Sequence, residues 1–316
     1  MKILANDGVS QAGVDKLEEA GHEVIQTKVA QEQLAKYLND NDIDVILVRS
    51  ATKVRKDLID ACPNLKIIGR GGVGLDNIDV DYAKSKGVKV INTPAASSDS
   101  VAELVMAHAL SGFRFLHLSN RQMPLEGDSK FKDLKKSFAK GIELSGKTMG
   151  IVGMGRIGQA VAKRAIGMGM KVVAHDKFMD EADIKLEFYD GQHLDFKLKS
   201  IDFDELLAQS DVITFHVPSQ NNYILGKAEI EKMKDGAAVI NTARGGVIDE
   251  KAVVEALEND KLSFAAIDVF EEEPTPDVKL LMQSKLSLSP HTGGATLEAQ
   301  SRIGTELAEQ IIALSK

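Results

Sequence analysis

Short apolar runs and helix-spaced apolar residues alternate along most of this chain. In the first ninety residues, the runs at 2–5, 23–25, 45–49, 65–68 and 88–91 predict strands. Between them lie helical patterns such as 11–20, stopped by Gly21, and 56–61, stopped by Pro63. The rhythm returns at 148–152, 171–175, 211–215, 237–241, 265–269 and 286–288. Strands separated by helices imply parallel pairing, because parallel neighbours need a crossover, so the chain reads as α/β. Two stretches break the pattern. Ser97-Ser98-Asp99-Ser100 precedes a long apolar helix, with Ser100 and Glu103 spaced as a capping box, and a polar, lysine-rich connection is expected over 120–140. Ile184, Leu186 and Phe188, then Leu194, Phe196 and Leu198, alternate around Asp190-Gly191, which predicts a β-hairpin with a type I′-like turn, polar on one face. The domain crossing is expected near Ala96.

The stretch from Thr148 to Asp176 is the most informative. An apolar strand runs into Gly153-Met154-Gly155-Arg156-Ile157-Gly158, a helical pattern follows, and a second strand ends on Asp176, eighteen positions beyond Gly158. That is the layout of a dinucleotide-binding unit. Gly153 permits the tight turn, Gly155 leaves room for a pyrophosphate, and Gly158 allows close helix packing. The helix N-terminus faces the phosphates, and Asp176 accepts from the ribose hydroxyls while repelling a 2′-phosphate. NAD is therefore expected over NADP. Two look-alikes are set aside on context. Gly69-Arg70-Gly71-Gly72-Val73-Gly74 repeats the glycine pattern but opens no helix directly, and its next strand ends on Asn92 with no acid. The segment 141–148 spells a P-loop, yet it enters a strand where a P-loop enters a helix.

Length and composition narrow the picture further. The chain has 316 residues, enough for about two domains. A net charge of −8 argues against a broad nucleic-acid surface. The single cysteine, Cys62, excludes an internal disulfide and is expected as a small buried apolar residue. The apolar start at Met1 turns polar by Asn6, too early for a signal peptide, and no run reaches membrane-spanning length, so a cytoplasmic protein without membrane partners is expected.

Parallel sheets bind ligands beyond the carboxyl ends of their strands. Arg244, Glu273 and His291 each follow a predicted strand of the second half. A histidine can exchange a proton with an alcohol or ketone oxygen, and a carboxylate beside it orients the ring. An arginine can hold a substrate carboxylate in a two-pronged grip. The combination suits hydride transfer at an alcohol or ketone carbon, with nicotinamide supplying the hydride chemistry.

The chain resembles the D-2-hydroxyacid dehydrogenase family over nearly its whole length. The likeness rests on Arg49-Ser50-Ala51-Thr52-Lys53-Val54, the 69–77 loop, the Gly153 fingerprint, Asn241-Thr242-Ala243-Arg244-Gly245-Gly246, Asp268-Val269-Phe270-Glu271-Glu272-Glu273-Pro274 and Pro290-His291-Thr292-Gly293-Gly294. Its continuation Ala295-Thr296-Leu297-Glu298-Ala299-Gln300 is typical of the phosphoglycerate-oxidising members. The resemblance implies two Rossmann-like doubly wound parallel-sheet domains with a cleft between them. Residues 1–96 with 290–316 would bind substrate and 97–289 would bind NAD. It implies Arg244, Glu273 and His291 as catalytic. Cofactor contacts would come from Val73, Gly153, Gly155, Arg156, Ile157, Gly158, Asp176, His216, Val217, Pro218, Thr242, Ala243, Asp268, Gly293 and Gly294. Gly72, Val73 and Arg244 would hold the substrate carboxylate, with Arg49, Arg70 and, from a neighbouring subunit, Arg121 on the phosphate side. No metal is expected. The implied reaction is NAD-dependent oxidation of D-3-phosphoglycerate to 3-phosphohydroxypyruvate in serine synthesis, by a homodimer. Reduction of hydroxypyruvate or glyoxylate is the alternative, and an NAD(H)-sensing co-repressor a more distant one. Ala95-Ala96-Ser97 departs from the asparagine and glycine that relatives often carry, and a short form without the C-terminal regulatory domain of longer relatives is expected.

Overall fold

The computed structural model describes residues 1–315. The chain divides into two compact units, Met1–Ser100 with Gly294–Lys316, and Val101–Gly293. In the first, β1 (Lys2–Ala5), β2 (Glu23–Ile25), β3 (Val45–Val48), β4 (Ile67–Arg70) and β5 (Lys89–Asn92) form one parallel sheet in the order β2-β1-β3-β4-β5. Successive side chains of a strand point to opposite faces. Ile3, Ala5, Val45, Leu47 and Ile67 therefore enter one core, and Leu4, Ile46, Val48 and Ile68 the other. Cys62 is buried in the second of these cores, as expected. Strand β4 begins two residues later than the apolar run suggested. Leu65 is core, but its N–H closes a turn onto the Cys62 carbonyl, and ladder pairing starts at Ile67.

The first core is completed from the far end of the sequence. Helix Leu297–Leu314 lays Ile303, Leu307, Ala308 and Ile311 on it. That helix crosses Gln11–Glu19 at a pair of glycines, where a Cβ on Gly13 would stand 2.7 Å from the Gly304 carbonyl.

In the second unit, β6 (Thr148–Val152), β7 (Lys171–His175), β10 (Val212–Phe215), β11 (Ala237–Asn241), β12 (Leu262–Ile267) and β13 (Leu286–Leu288) pair in parallel in the order β13-β12-β11-β10-β6-β7. The chain runs outward from β6 to β7 and then crosses to β10, so the order of the strands, all still parallel, reverses between β6 and β10. The Gly153 loop leaves β6 at that switch point, where such sheets bind ligands. Residues 141–147 are irregular and lead into β6, which leaves the P-loop letters without a P-loop.

Three local expectations need correction. The long helix spans Ser98–Phe113, so Ser100 lies inside its first turn instead of capping it. The 120–140 stretch is largely helical, in Leu116–Glu126 and Phe131–Ser137; few of its residues are buried, which is why the apolar pattern did not reveal them. The hairpin of β8 (Glu181–Glu187) and β9 (His193–Lys199) is real, with Ala182, Ile184 and Leu186 facing Leu198, Phe196 and Leu194 on one side. Its turn has three residues. Phe188 accepts from Gly191 N and donates to the Gln192 carbonyl, and only Gly191 has positive φ (84°), whereas a type I′ turn needs two such residues. The other face carries charged pairs, including Lys197 with Glu181 and Lys185 with Glu187.

The Gly13–Gly304 crossing gives a stability prediction. Gly13→Ala forces a methyl against backbone that cannot move aside, and overpacking of this kind costs about 1–3 kcal/mol. Thermal unfolding of the variant should begin several degrees below wild type, and an unchanged transition contradicts the close crossing.

Candidate functional site

The glycine loop is built as its letters require. Gly153 has φ +99°, and a Cβ there would collide with the His216 carbonyl, so the loop and the end of β10 are pressed together. Gly158 meets the Gly153 carbonyl itself, which fixes the first helical turn against the loop. Nothing lies within 4 Å of a Cβ built on Gly155, which caps helix Arg156–Gly167 without a side chain. Gly155 and Arg156 are exposed and Ile157 half-buried, leaving the first N–H groups of a twelve-residue helix turned outward.

Asp176 ends β7 as expected, and its carboxylate is already held. Oδ2 accepts from Met154 N at 2.6 Å, and Oδ1 from Phe178 N at 2.8 Å and Met179 N at 3.2 Å. Three backbone donors fix the acid beside the glycine loop while leaving part of its acceptor capacity for ribose hydroxyls. His216 follows β10; burial pushes its imidazole down to about 3, and Nε2 meets Thr214 Oγ1 at 3.1 Å. His216 Nδ1 and Thr242 Oγ1 are buried polar atoms with no partner among the described residues. His216 meets the glycine loop and Thr242 follows the next strand along the same edge, which fits a polar cofactor lying there. Val217 packs near Gly153, Pro218 is exposed, and Ala243 is buried.

Two turns hold the three residues expected to be catalytic. Asn241 Oδ1 accepts from Ala243 N, and its Nδ2 donates to the Arg244 carbonyl, so the last residue of β11 shapes the arginine turn. Gly245 packs against the Phe270 carbonyl, where a Cβ would collide. Phe270 N donates to Glu273 Oε1, and Glu273 Oε2 meets His291 Nδ1 at 2.8 Å. Glu273 and His291 thus form an oriented pair, each about one-third exposed, in which the carboxylate engages Nδ1 and leaves Nε2 to other partners.

Asp268, 1% exposed, anchors the histidine turn. Its carboxylate accepts from Ser289 Oγ (2.6 Å), Thr292 N (2.8 Å) and Gly293 N (2.9 Å), while its carbonyl accepts from His291 N (2.8 Å). His291 sits in the left-handed region at φ 54°, a conformation a non-glycine residue keeps only when its surroundings impose it.

The remaining expected residues lie elsewhere. Arg49 follows β3 and Arg70 ends β4, with Val48 and Arg70 paired in register, so the two guanidinium side chains leave neighbouring strand ends of the first unit. Gly72 has φ 141°, a backbone conformation that side chains rarely adopt, and the Arg70 guanidinium lies over it; Val73 is exposed, and Gly294 is half-buried in the first unit. Arg121 is exposed on Leu116–Glu126. Sequence reading missed the residues that brace these loops. Asp7 accepts from Arg49 N and Thr52 N, and Asn77 donates to the Arg49 and Thr52 carbonyls. Among the described residues, no cluster of three potential metal ligands exists and no helix is long and apolar enough to cross a membrane.

Glu250 braces the acidic loop from below. Glu250 N donates to Glu271 Oε1 at 3.2 Å, and Glu271 N donates to Glu250 Oε1 at 2.8 Å. Burial first, then the neighbouring carboxylates, push Glu250 up to about 7. A raised carboxyl stabilises the fold below its ordinary value of 4.5, and that contribution is lost as pH rises through 7. Glu250→Gln mimics the neutral acid. It should match wild-type stability near pH 4.5 and unfold several degrees higher at pH 8; a gap that does not depend on pH contradicts the shift.

Comparison with known proteins gives this geometry a family. Residues 106–293, more than half of the chain, match the family described as D-isomer specific 2-hydroxyacid dehydrogenase, NAD binding domain. A hydroxypyruvate reductase from Thermotoga maritima is 45% identical over 294 residues, covering 92% of this chain and 90% of its own. A D-3-phosphoglycerate dehydrogenase from Methanocaldococcus jannaschii is 42% identical over 316 residues, and the chain, 98% covered, spans little more than half (57%) of that relative's length. The structure of an NAD-dependent formate dehydrogenase from Staphylococcus aureus in complex with NAD superposes with TM-score 0.80 at 29% identity, covering 100% of this chain and 96% of that one. The chain belongs to the D-isomer specific 2-hydroxyacid dehydrogenases, a family of NAD-dependent oxidoreductases.

Proposed function

We propose that this protein oxidises D-3-phosphoglycerate to 3-phosphohydroxypyruvate with NAD, and catalyses the reverse reduction. Bound nicotinamide accepts or supplies the hydride. His291, oriented by Glu273, takes the hydroxyl proton during oxidation and returns it to the keto oxygen during reduction. Arg244, with the N–H groups around Gly72 and Val73, binds the substrate carboxylate. The Gly153 loop, Arg156, Ile157 and Asp176 hold the cofactor's phosphates and ribose; His216, Val217, Pro218, Thr242, Ala243, Asp268, Gly293 and Gly294 contribute the remaining contacts. Residues 1–96 with 290–316 act as the substrate domain and 97–289 as the cofactor domain.

The observation that carries the phosphate is the pair Arg49 and Arg70 on adjacent strand ends, in a chain of net charge −8. Two cations on neighbouring strand ends of an acidic protein suit a dianionic group. The reading includes a cytoplasmic homodimer serving serine synthesis. Helix Leu116–Glu126 supports the dimer by exposing Leu116, Met123 and Leu125, and Arg121, exposed on the same helix, would reach a partner's phosphate site. A second reading, reduction of hydroxypyruvate, is favoured by the 45% identity to a hydroxypyruvate reductase over 92% of the chain.

Two experiments test these assignments. A charge-assisted hydrogen bond contributes about 1.5–3 kcal/mol, or about one to two decades in kcat/KM. Arg49→Ala and Arg70→Ala should therefore depress kcat/KM for phosphohydroxypyruvate by that amount and barely alter hydroxypyruvate. A wild type that prefers hydroxypyruvate, or equal losses on both ketoacids, replaces the phosphate reading with the second one. For the cofactor, the fixed carboxylate of Asp176 opposes a 2′-phosphate as well as binding ribose. NADH should far outperform NADPH, Asp176→Ala should narrow the gap, and comparable kcat/KM for both cofactors in wild type would refute the role.

A further inference from the structure

One buried histidine has no part in the chemistry above. His108, 6% exposed, lies on helix Ser98–Phe113. Both its ring nitrogens are engaged: Nδ1 lies 2.9 Å from Ser287 Oγ, and Nε2 3.0 Å from Ser289 Oγ. The two serines are two positions apart at the end of β13, so they face the same side of the strand. Ser289 Oγ in turn reaches Asp268 Oδ1, and Asp268 holds Thr292 N and Gly293 N beside His291.

The directions of these hydrogen bonds follow from the last group. A carboxylate only accepts, so the Ser289 hydroxyl donates to Asp268. Ser289 Oγ then accepts from His108, which places the ring proton on Nε2. A neutral ring protonated at Nε2 accepts at Nδ1, so the Ser287 hydroxyl donates there. Burial lowers His108 from its ordinary value, with His117 adding to the effect and Asp268 opposing it, in keeping with a neutral ring. Every dipole of the chain then points toward Asp268, and such bonds strengthen one another. An apolar side chain would fill this space with less desolvation; the imidazole adds directional constraint on Ser289.

We propose that His108 is a positioning residue for the proton-transfer turn: through Ser289 it fixes the Asp268 carboxylate, and through Asp268 the backbone that presents His291. The proposal rests on the reading of His291 as the proton carrier, and it requires no contact between His108 and substrate or cofactor.

The test uses the full chain with His108→Leu, His108→Gln, Ser289→Ala and the His108→Leu/Ser289→Ala double variant. Loss of one neutral hydrogen bond in the relay should lower kcat on the order of three- to tenfold. In His108→Leu, KM for the ketoacid and NADH affinity should stay within about twofold of wild type, since neither His108 nor Ser289 touches substrate or cofactor and Asp268 keeps its backbone donors. The double variant should be no worse than the poorer single, as expected of groups acting in one chain. His108→Gln, whose amide can still donate to Ser289, should recover most of kcat. Wild-type kcat in His108→Leu, additive losses in the double variant, or equal losses in Leu and Gln with lowered melting temperature would each overturn the proposal. A readout independent of turnover separates its failure from that of the His291 reading. Histidine-selective 15N NMR should show His108 as the neutral Nε2–H tautomer across pH 6–8, with its resonance displaced in Ser289→Ala. A wild type that turns over no 2-ketoacid defeats the His291 reading while leaving this signature intact, whereas an Nδ1–H tautomer defeats the relay itself.

Discussion

All six strands of the second unit's main sheet run in one direction, and the functional edge follows from that constraint. A parallel sheet collects its carboxyl ends on one side. The Gly153 loop, His216, Thr242, Asp268 and the Pro290–His291 turn, far apart in the sequence, therefore share one rim. The reversal of strand order between β6 and β10 opens that rim where the helix N-terminus points outward. The protein supplies placement and electrostatics along this edge, and the cofactor supplies the difficult chemistry.

Asp268 shows how a single buried charge organises such a rim. An ionised carboxylate taken from water needs donors, and here they are the very groups that define the histidine turn. Meeting the needs of Asp268 shapes residues 289–293, so the left-handed conformation of His291 follows from the folding of the acid. Glu273 adds a second hold on the ring itself. His291 is thus fixed by its backbone from one carboxylate and by its side chain from another, which suits a group that must give and take a proton in one position.

The sequence made some of this legible and hid the rest for physical reasons. Strands β1, β2, β6, β7, β11 and β13 matched their apolar runs residue for residue, because buried parallel strands must be apolar on both faces. The Gly153 fingerprint was readable because local geometry demands glycine there; the same letters at Gly69 lie within a strand end, with the next helix opening only at Val80. Helices 116–126 and 131–137 escaped notice because their apolar residues are mostly exposed and leave no clean periodic face. The His108 relay was invisible to any window, since its partners are 179 and 181 positions away. The placement of Arg244, Glu273 and His291 after strands was thus within reach of sequence reasoning, whereas the bracing by Asp7, Glu250 and His108 depends on tertiary contacts.

The central claim is that proton transfer and cofactor binding are separate tasks of one rim, with His291 assigned to the first. Measuring kcat and NADH affinity together for His291→Ala tests it most directly. The account predicts turnover reduced by at least about two to four decades, the usual worth of a positioned acid–base group, with NADH bound nearly as in wild type. NADH affinity falling in step with kcat would make His291 a structural residue, and turnover persisting at the wild-type rate would remove it from the chemistry altogether.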